Sequence, residues 1–145
     1  LKAVKNVIFL LSLLIVFLLV FVSQVIACSC PAKGGLKTEV DKNDVVFMGQ
    51  VSEVVNVGAL RPGYQMVRFL PMKKYKGKEL LVNSEKISVF TPDSPSKCGV
   101  KFSRQIDYLV FASGSPAFLK VTSCSLTDIQ ENHKESQRQL EEMFK

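Results

Sequence analysis

Apolar positions change their period along this chain. Val7 to Val22, VIFLLSLLIVFLLVFV, is a continuous run of sixteen residues interrupted only by Ser12. Lys2 and Lys5 precede it, and Val25 and Ala27 stand three and one residues before Cys28. A basic start, an apolar stretch and tolerated residues at those two positions predict a secretory signal over residues 1–27, cut before Cys28. The competing readings are an uncleaved anchor, for which the run is a little short of the roughly 20 residues a span needs, and a lipoprotein signal.

Beyond Cys28 the pattern is that of short strands. Residues 45–54, 64–70, 86–90, 107–112 and 118–122 are rich in β-branched and aromatic side chains, and turn-forming stretches separate them. Gly49 falls inside the first, where a bulge or barrel bend fits. After Cys124 the spacing becomes helical. Ile129, His133, Ser136, Leu140, Met143 and Phe144 share one face, charged and amide side chains fill the other, and Thr127 with Gln130 reads as a capping box. A helix over about 126–144 therefore follows five strands. That order predicts a mainly β fold, a small closed barrel or sandwich, in one domain over 28–145.

Charge and chemistry narrow the function. Without Lys2 and Lys5, 17 basic side chains face 13 acidic ones, a mild excess with no stripe of interleaved arginines and aromatics, so no nucleic-acid partner is expected. Lys73, Lys74, Lys76 and Lys78 cluster around Gly77. A turn with solvated lysines accounts for them, and a weak contact to glycans or a membrane surface is the functional alternative. His133 is the single histidine and reads as a solvated helix residue, which leaves no basis for a His-based zinc site or a Ser-His-Asp triad. There is no nucleophile elbow and no phosphate-cradling glycine loop. The expectation is a protein that is not an enzyme and needs no cofactor.

All four cysteines, Cys28, Cys30, Cys98 and Cys124, follow the expected cut. An even count in a small exported domain reads as two disulfides. Pairing Cys28 with Cys30 would close a tiny strained ring, so one of the two long-range pairings is expected. Each staple would contribute about 4 kcal/mol on chain-entropy arithmetic. A metal-ligand role for Cys-x-Cys is disfavoured, because both thiols have better uses in an exported chain.

The ordered pieces Cys28-Ser29-Cys30-Pro31, NDVVFMGQV (43–51), YKG (75–77), CGV (98–100), YLVFA (108–112) and TSCSLT (122–127) resemble the N-terminal, netrin-like domain of the tissue inhibitors of metalloproteinases. The resemblance implies an OB-fold-like five-stranded barrel with a C-terminal helix, and the pairings Cys28–Cys98 and Cys30–Cys124. It implies a secreted inhibitor of zinc metalloendopeptidases with no metal of its own. The freed α-amine and the carbonyl of Cys28 would chelate the partner's catalytic zinc. Ser29 would enter the primary specificity pocket. Cys30 and Pro31 would continue the contact ridge, and Pro95, Ser96, Lys97 and Gly99 would flank it.

The chain departs from that family's pattern in three ways. The third disulfide has no counterpart, since the stretch before the first strand, TEVDKND, lacks a cysteine. Only the expected helix, to Lys145, stands where the family has a cysteine-rich C-terminal domain, so none is expected here. The loop between the first two strands is short, so contacts the family makes there are not expected. Two other functions compete with inhibition. One is a lipoprotein, tethered at the cell surface or in a periplasm through a lipid on Cys28. The other is a netrin-like binding module without inhibitory activity. A lipid on the Cys28 sulfur would leave Cys98 unpaired, so the even cysteine count speaks against the tether.

Overall fold

A computed structural model describes residues 2–21, 27–81 and 85–145. Val22, Val25 and Ile26, which enter the reading of the signal and its cut, lie outside the described residues. Val7 to Phe21 of the apolar run lie in helix α1, Lys2–Phe21. It contains no glycine or proline, and the apolar side chains from Val4 to Phe17 are all exposed.

The strands are β1 (Val45–Asn56), β2 (Tyr64–Lys76), β3 (Ile87–Pro92), β4 (Asp107–Ser115), β5 (Phe118–Lys120) and β6 (Asp128–Ile129). Hydrogen bonding runs β1-β2-β3-β5-β4, and β4 returns to β1. Those five strands therefore close a barrel, with no free edge among them. All these pairings are antiparallel except β3 with β5, where Val89 faces Leu119 and Phe90 faces Lys120. This is the OB-like barrel the sequence resemblance implies, followed by a C-terminal helix. The short β6 adds to the outer side of β4.

Alternation fills the barrel. Val45, Phe47 and Val51 of β1, Val67 and Phe69 of β2, Ile87 and Val89 of β3, and Val110 and Ala112 of β4 point inward and are buried. Phe69 packs edge-on against both Phe47 and Phe102, with ring centroids 5.4 Å and 5.5 Å away, a favoured aromatic geometry. Gly49 lies at a register shift against Pro71. A Cβ there would come within 2.8 Å of the Leu70 carbonyl oxygen. The bulge also accommodates Pro71 inside a strand, since a proline cannot donate to the ladder.

Strands β1 and β4 are covered on their outer face as well. Val46, Leu109 and Phe111 form a second core with Val40, Tyr75 and Leu140. Val40 comes from α2 (Leu36–Lys42), and Leu140 from α3 (Lys134–Met143). Burial on both faces explains why VVF and YLVF read as continuous apolar runs.

The C-terminal segment differs from its sequence reading in three places. A 3₁₀ turn over Gln130–His133 precedes the α-helix. Thr127 is not a helix cap. Its buried hydroxyl accepts the Phe111 N–H at 2.8 Å and also lies 3.3 Å from the Phe111 carbonyl, so it clasps β4. Of the six apolar-face positions, Leu140 is fully buried, while Ile129, Met143 and Phe144 remain over one-third exposed.

Candidate functional site

Two disulfides join the N-terminal segment to one end of the barrel: Cys28–Cys98 and Cys30–Cys124. They span 70 and 94 residues of chain. They are the pairs the family resemblance implies. Beyond them Cys28 Sγ lies 3.8 Å from Cys30 Sγ, 3.9 Å from Cys124 Sγ and 3.7 Å from Ser123 Oγ. Cys28 is half-buried, whereas Ser29, Cys30 and Pro31 are exposed. The segment is thus pinned from below and open above.

The loop carrying Cys98 is built by local turn chemistry. Pro95 starts a 3₁₀ turn, Pro95–Lys97, and Cys98 ends it in a left-handed conformation, φ 64°. The Cys98 N–H donates to the Pro95 carbonyl at 3.0 Å, and the Gly99 N–H to the Ser94 carbonyl at 2.9 Å. Only glycine fits at 99, because a Cβ would stand 2.2 Å from the Pro92 oxygen and 2.8 Å from that of Ser94. Buried Thr91 accepts the Val100 N–H at 2.8 Å, and Asp93 donates its N–H to the Gly63 carbonyl at 3.0 Å. Ser96 and Lys97 are exposed on the turn, and Lys97 Nζ reaches Asp93 Oδ1 at 3.1 Å.

The second loop is fixed as firmly. Ser123 donates its N–H to the Cys98 carbonyl at 2.9 Å, and Ser125 to the Thr122 carbonyl at 3.1 Å. Beside it Pro31, Ala32, Glu39, Asn43, Ser113 and Cys124 line a cavity of about 190 Å³. Glu39 is buried there and meets Lys42 at 3.5 Å. A second cavity, of about 240 Å³, opens on the other side of the Cys98 turn, between Gln65, Pro92, Pro95, Gly99 and Lys101.

Of the expected ridge residues, Cys28, Ser29, Cys30 and Pro31 follow one another on the N-terminal segment, and Pro95, Ser96, Lys97 and Gly99 flank Cys98 on the loop that the Cys28–Cys98 bond ties to it. The supports Thr91 and Ser123, and the buried Glu39 in α2, escape a sequence reading. Their roles come from contacts distant in the chain. In the uncut chain the Cys28 nitrogen belongs to the peptide bond with Ala27, so an α-amine exists only after cleavage.

The lysine cluster is less of a solvated turn than its sequence suggests. Lys73, Lys74 and Lys76 belong to β2. Lys76 Nζ donates to the carbonyls of Val40 and Asn43, each at 2.7 Å, which holds the C-terminal end of α2. Lys74 Nζ donates to the Leu81 carbonyl at 2.8 Å, and Lys73 pairs with Glu141 of α3. Only Lys78 lies beyond the strand, exposed in a 3₁₀ turn. His133 also departs from its reading. It is half-buried at the start of α3, and its Nε2 is buried with no hydrogen-bond partner among the described residues.

No family model matches the chain, and no curated protein matches it.

Proposed function

We propose that this domain, once cut before Cys28, is a secreted inhibitor of zinc metalloendopeptidases and not itself an enzyme. The observation that carries this reading is the pinned and exposed N-terminal segment. Cys28 is bonded to Cys98 while Ser29 to Pro31 face solvent beside the 95–99 turn.

A catalytic zinc in such proteases keeps an open position, ordinarily filled by water. Cleavage would give Cys28 a free amine next to its own carbonyl, and the two close a five-membered chelate ring on that zinc. The amine must be neutral to donate. An ordinary α-amine pKa of about 7.7–8.0 makes neutralisation inexpensive near neutral pH. Ser29, with its short side chain, would enter the specificity pocket, and the 95–99 turn would pack alongside. The two disulfides and the Ser123–Cys98 hydrogen bond leave little freedom to lose on binding, which favours affinity. The zinc is the partner's.

The test is inhibition of a panel of zinc endopeptidases by protein beginning at Cys28. Acetylating its α-amine removes the nitrogen donor and should abolish inhibition. Equal inhibition by acetylated and free protein would leave a netrin-like binding module as the better reading. A lipid tether on Cys28 is disfavoured by the bond from its sulfur to Cys98.

A further inference from the structure

The four cysteine sulfurs form one cluster rather than two separate staples. All of them lie within 4.8 Å of one another. A tetrahedral zinc with zinc–sulfur bonds of about 2.3 Å needs its sulfurs about 3.8 Å apart. Of the four separations between the two disulfides, the two from Cys28 are close to that value, at 3.8 Å to Cys30 and 3.9 Å to Cys124, and the two from Cys98 are no more than 4.8 Å.

We propose that the reduced chain binds one soft divalent ion, Zn²⁺ in the first instance, on Cys28, Cys30, Cys98 and Cys124. A dithiol reductant takes the chain there. Two molecules of it reduce the two disulfides to four thiols and leave as two cyclic disulfides. The incoming Zn²⁺ then displaces four protons and forms four zinc–thiolate bonds.

The polypeptide around the sulfurs is held by bonds that reduction does not touch. The Cys98 turn keeps its hydrogen bonds to Pro95 and Ser94, and Ser123 still joins the Cys98 and Cys124 loops. Cys28 and Cys30 arrive together on one segment, whose next element, α2, is anchored by Lys76. Two ligands are therefore placed by the barrel, and two by a short tether. Ser123 Oγ, 3.7 Å from Cys28 Sγ, is placed to donate to a thiolate, the kind of outer contact that tunes metal sites. Cys30 is exposed, which gives the ion a way in. Oxidised, the cluster locks the N-terminal segment; reduced, it becomes a four-thiolate cage. This inference does not depend on inhibitory activity.

The experiment uses the full chain, reduced with a phosphine under anaerobic conditions and titrated with Co²⁺ alone. One equivalent should produce the visible bands of tetrahedral cobalt together with thiolate charge transfer, and Zn²⁺ should bleach both. Bound Zn²⁺ should also protect four thiols from alkylation. Cys30→Ser and Cys124→Ser should each weaken cobalt binding by more than the roughly 10–100-fold typical of losing an outer-shell partner. Near-ultraviolet circular dichroism reports whether each reduced variant keeps its packed aromatic core. Absence of tetrahedral bands at one equivalent overturns the proposal. So does binding that continues without a break beyond one equivalent, or that survives both substitutions unchanged, because either marks an unstructured thiol chain.

Discussion

Ser123 donates its backbone N–H to the carbonyl oxygen of Cys98 at 2.9 Å. That bond joins the two loops that hold the distal cysteines of both disulfides, so the N-terminal segment rests on one connected platform rather than on two independent tethers. The left-handed Cys98 and the tightly enclosed Gly99 belong to that platform.

Gly99→Ala tests how tightly the platform is set. The new methyl would meet the Pro92 and Ser94 carbonyl oxygens, and backbone atoms cannot step aside as a flexible side chain can. We expect a loss of about 1–3 kcal/mol, in the range of overpacked sites, read from denaturant unfolding. Inhibition should fall as well, because the displaced turn carries Cys98. Unchanged stability would mean that the turn relaxes freely.

Thr127→Val keeps the shape of the side chain but removes the hydroxyl that accepts the Phe111 N–H. The buried donor is left unpaired, at a cost of about 1–3 kcal/mol. Thr127→Ser retains the oxygen and should lose less. The two midpoints of urea unfolding, measured side by side, check this ordering.

Lys76→Met and Lys78→Met separate a structural lysine from a solvated one. Lys76 satisfies carbonyls at the end of α2, and hydrogen bonds from a charged donor contribute about 1.5–3 kcal/mol in favourable cases. We expect a clear loss for Lys76→Met, with faster amide exchange in α2. Lys78→Met should stay within about 0.5 kcal/mol of the parent.

Helix α3 has a marked pH signature. Hydrogen bonds from Arg138 and then Gln139 hold the Glu135 carboxyl down at about 2, below the ordinary glutamate value of about 4.3. A depressed carboxyl stabilises the folded form above its unfolded pKa, and that contribution is lost as pH falls toward its folded pKa. The effect therefore operates between about pH 4.3 and 2. Both side chains are exposed, so its share of global stability is small. The carboxyl resonance of Glu135 should titrate near the bottom of that window, and Arg138→Gln should raise it toward the ordinary range, with the Gln139 hydrogen bond still holding it somewhat low.

Much of the barrel is legible in residue pattern, because inward positions of β1, β3 and β4 alternate or run continuously apolar. Strand β2 extends six residues past its expected end at Leu70. Pro71 and three lysines look like a turn, but the bulge at Gly49 absorbs the proline and tertiary contacts occupy the lysines. Helix α2 is only seven residues long and starts without a side-chain cap, so it leaves little periodic signal. Thr127 and Gln130 sit at capping-box spacing, yet Thr127 is drawn away by Phe111, a partner sixteen residues distant. The two disulfide-linked segments, around Cys28 and Cys30 and around Cys98, are marked in the sequence by their cysteines. Thr91 and Ser123 are not, since each supports the site through a backbone bond that only the closed barrel creates.

The most direct test of the zinc-chelating N-terminus is to compare two proteins that differ by one residue. One begins at Cys28, and the other keeps Ala27 in front of it. Both should show the same disulfides and the same unfolding midpoint. We expect the first to inhibit a zinc endopeptidase and the second to lose inhibition, because its Cys28 nitrogen is locked in an amide and cannot donate to zinc. Equal inhibition by the two would contradict the chelation mechanism, even if the barrel and both disulfides stood as described.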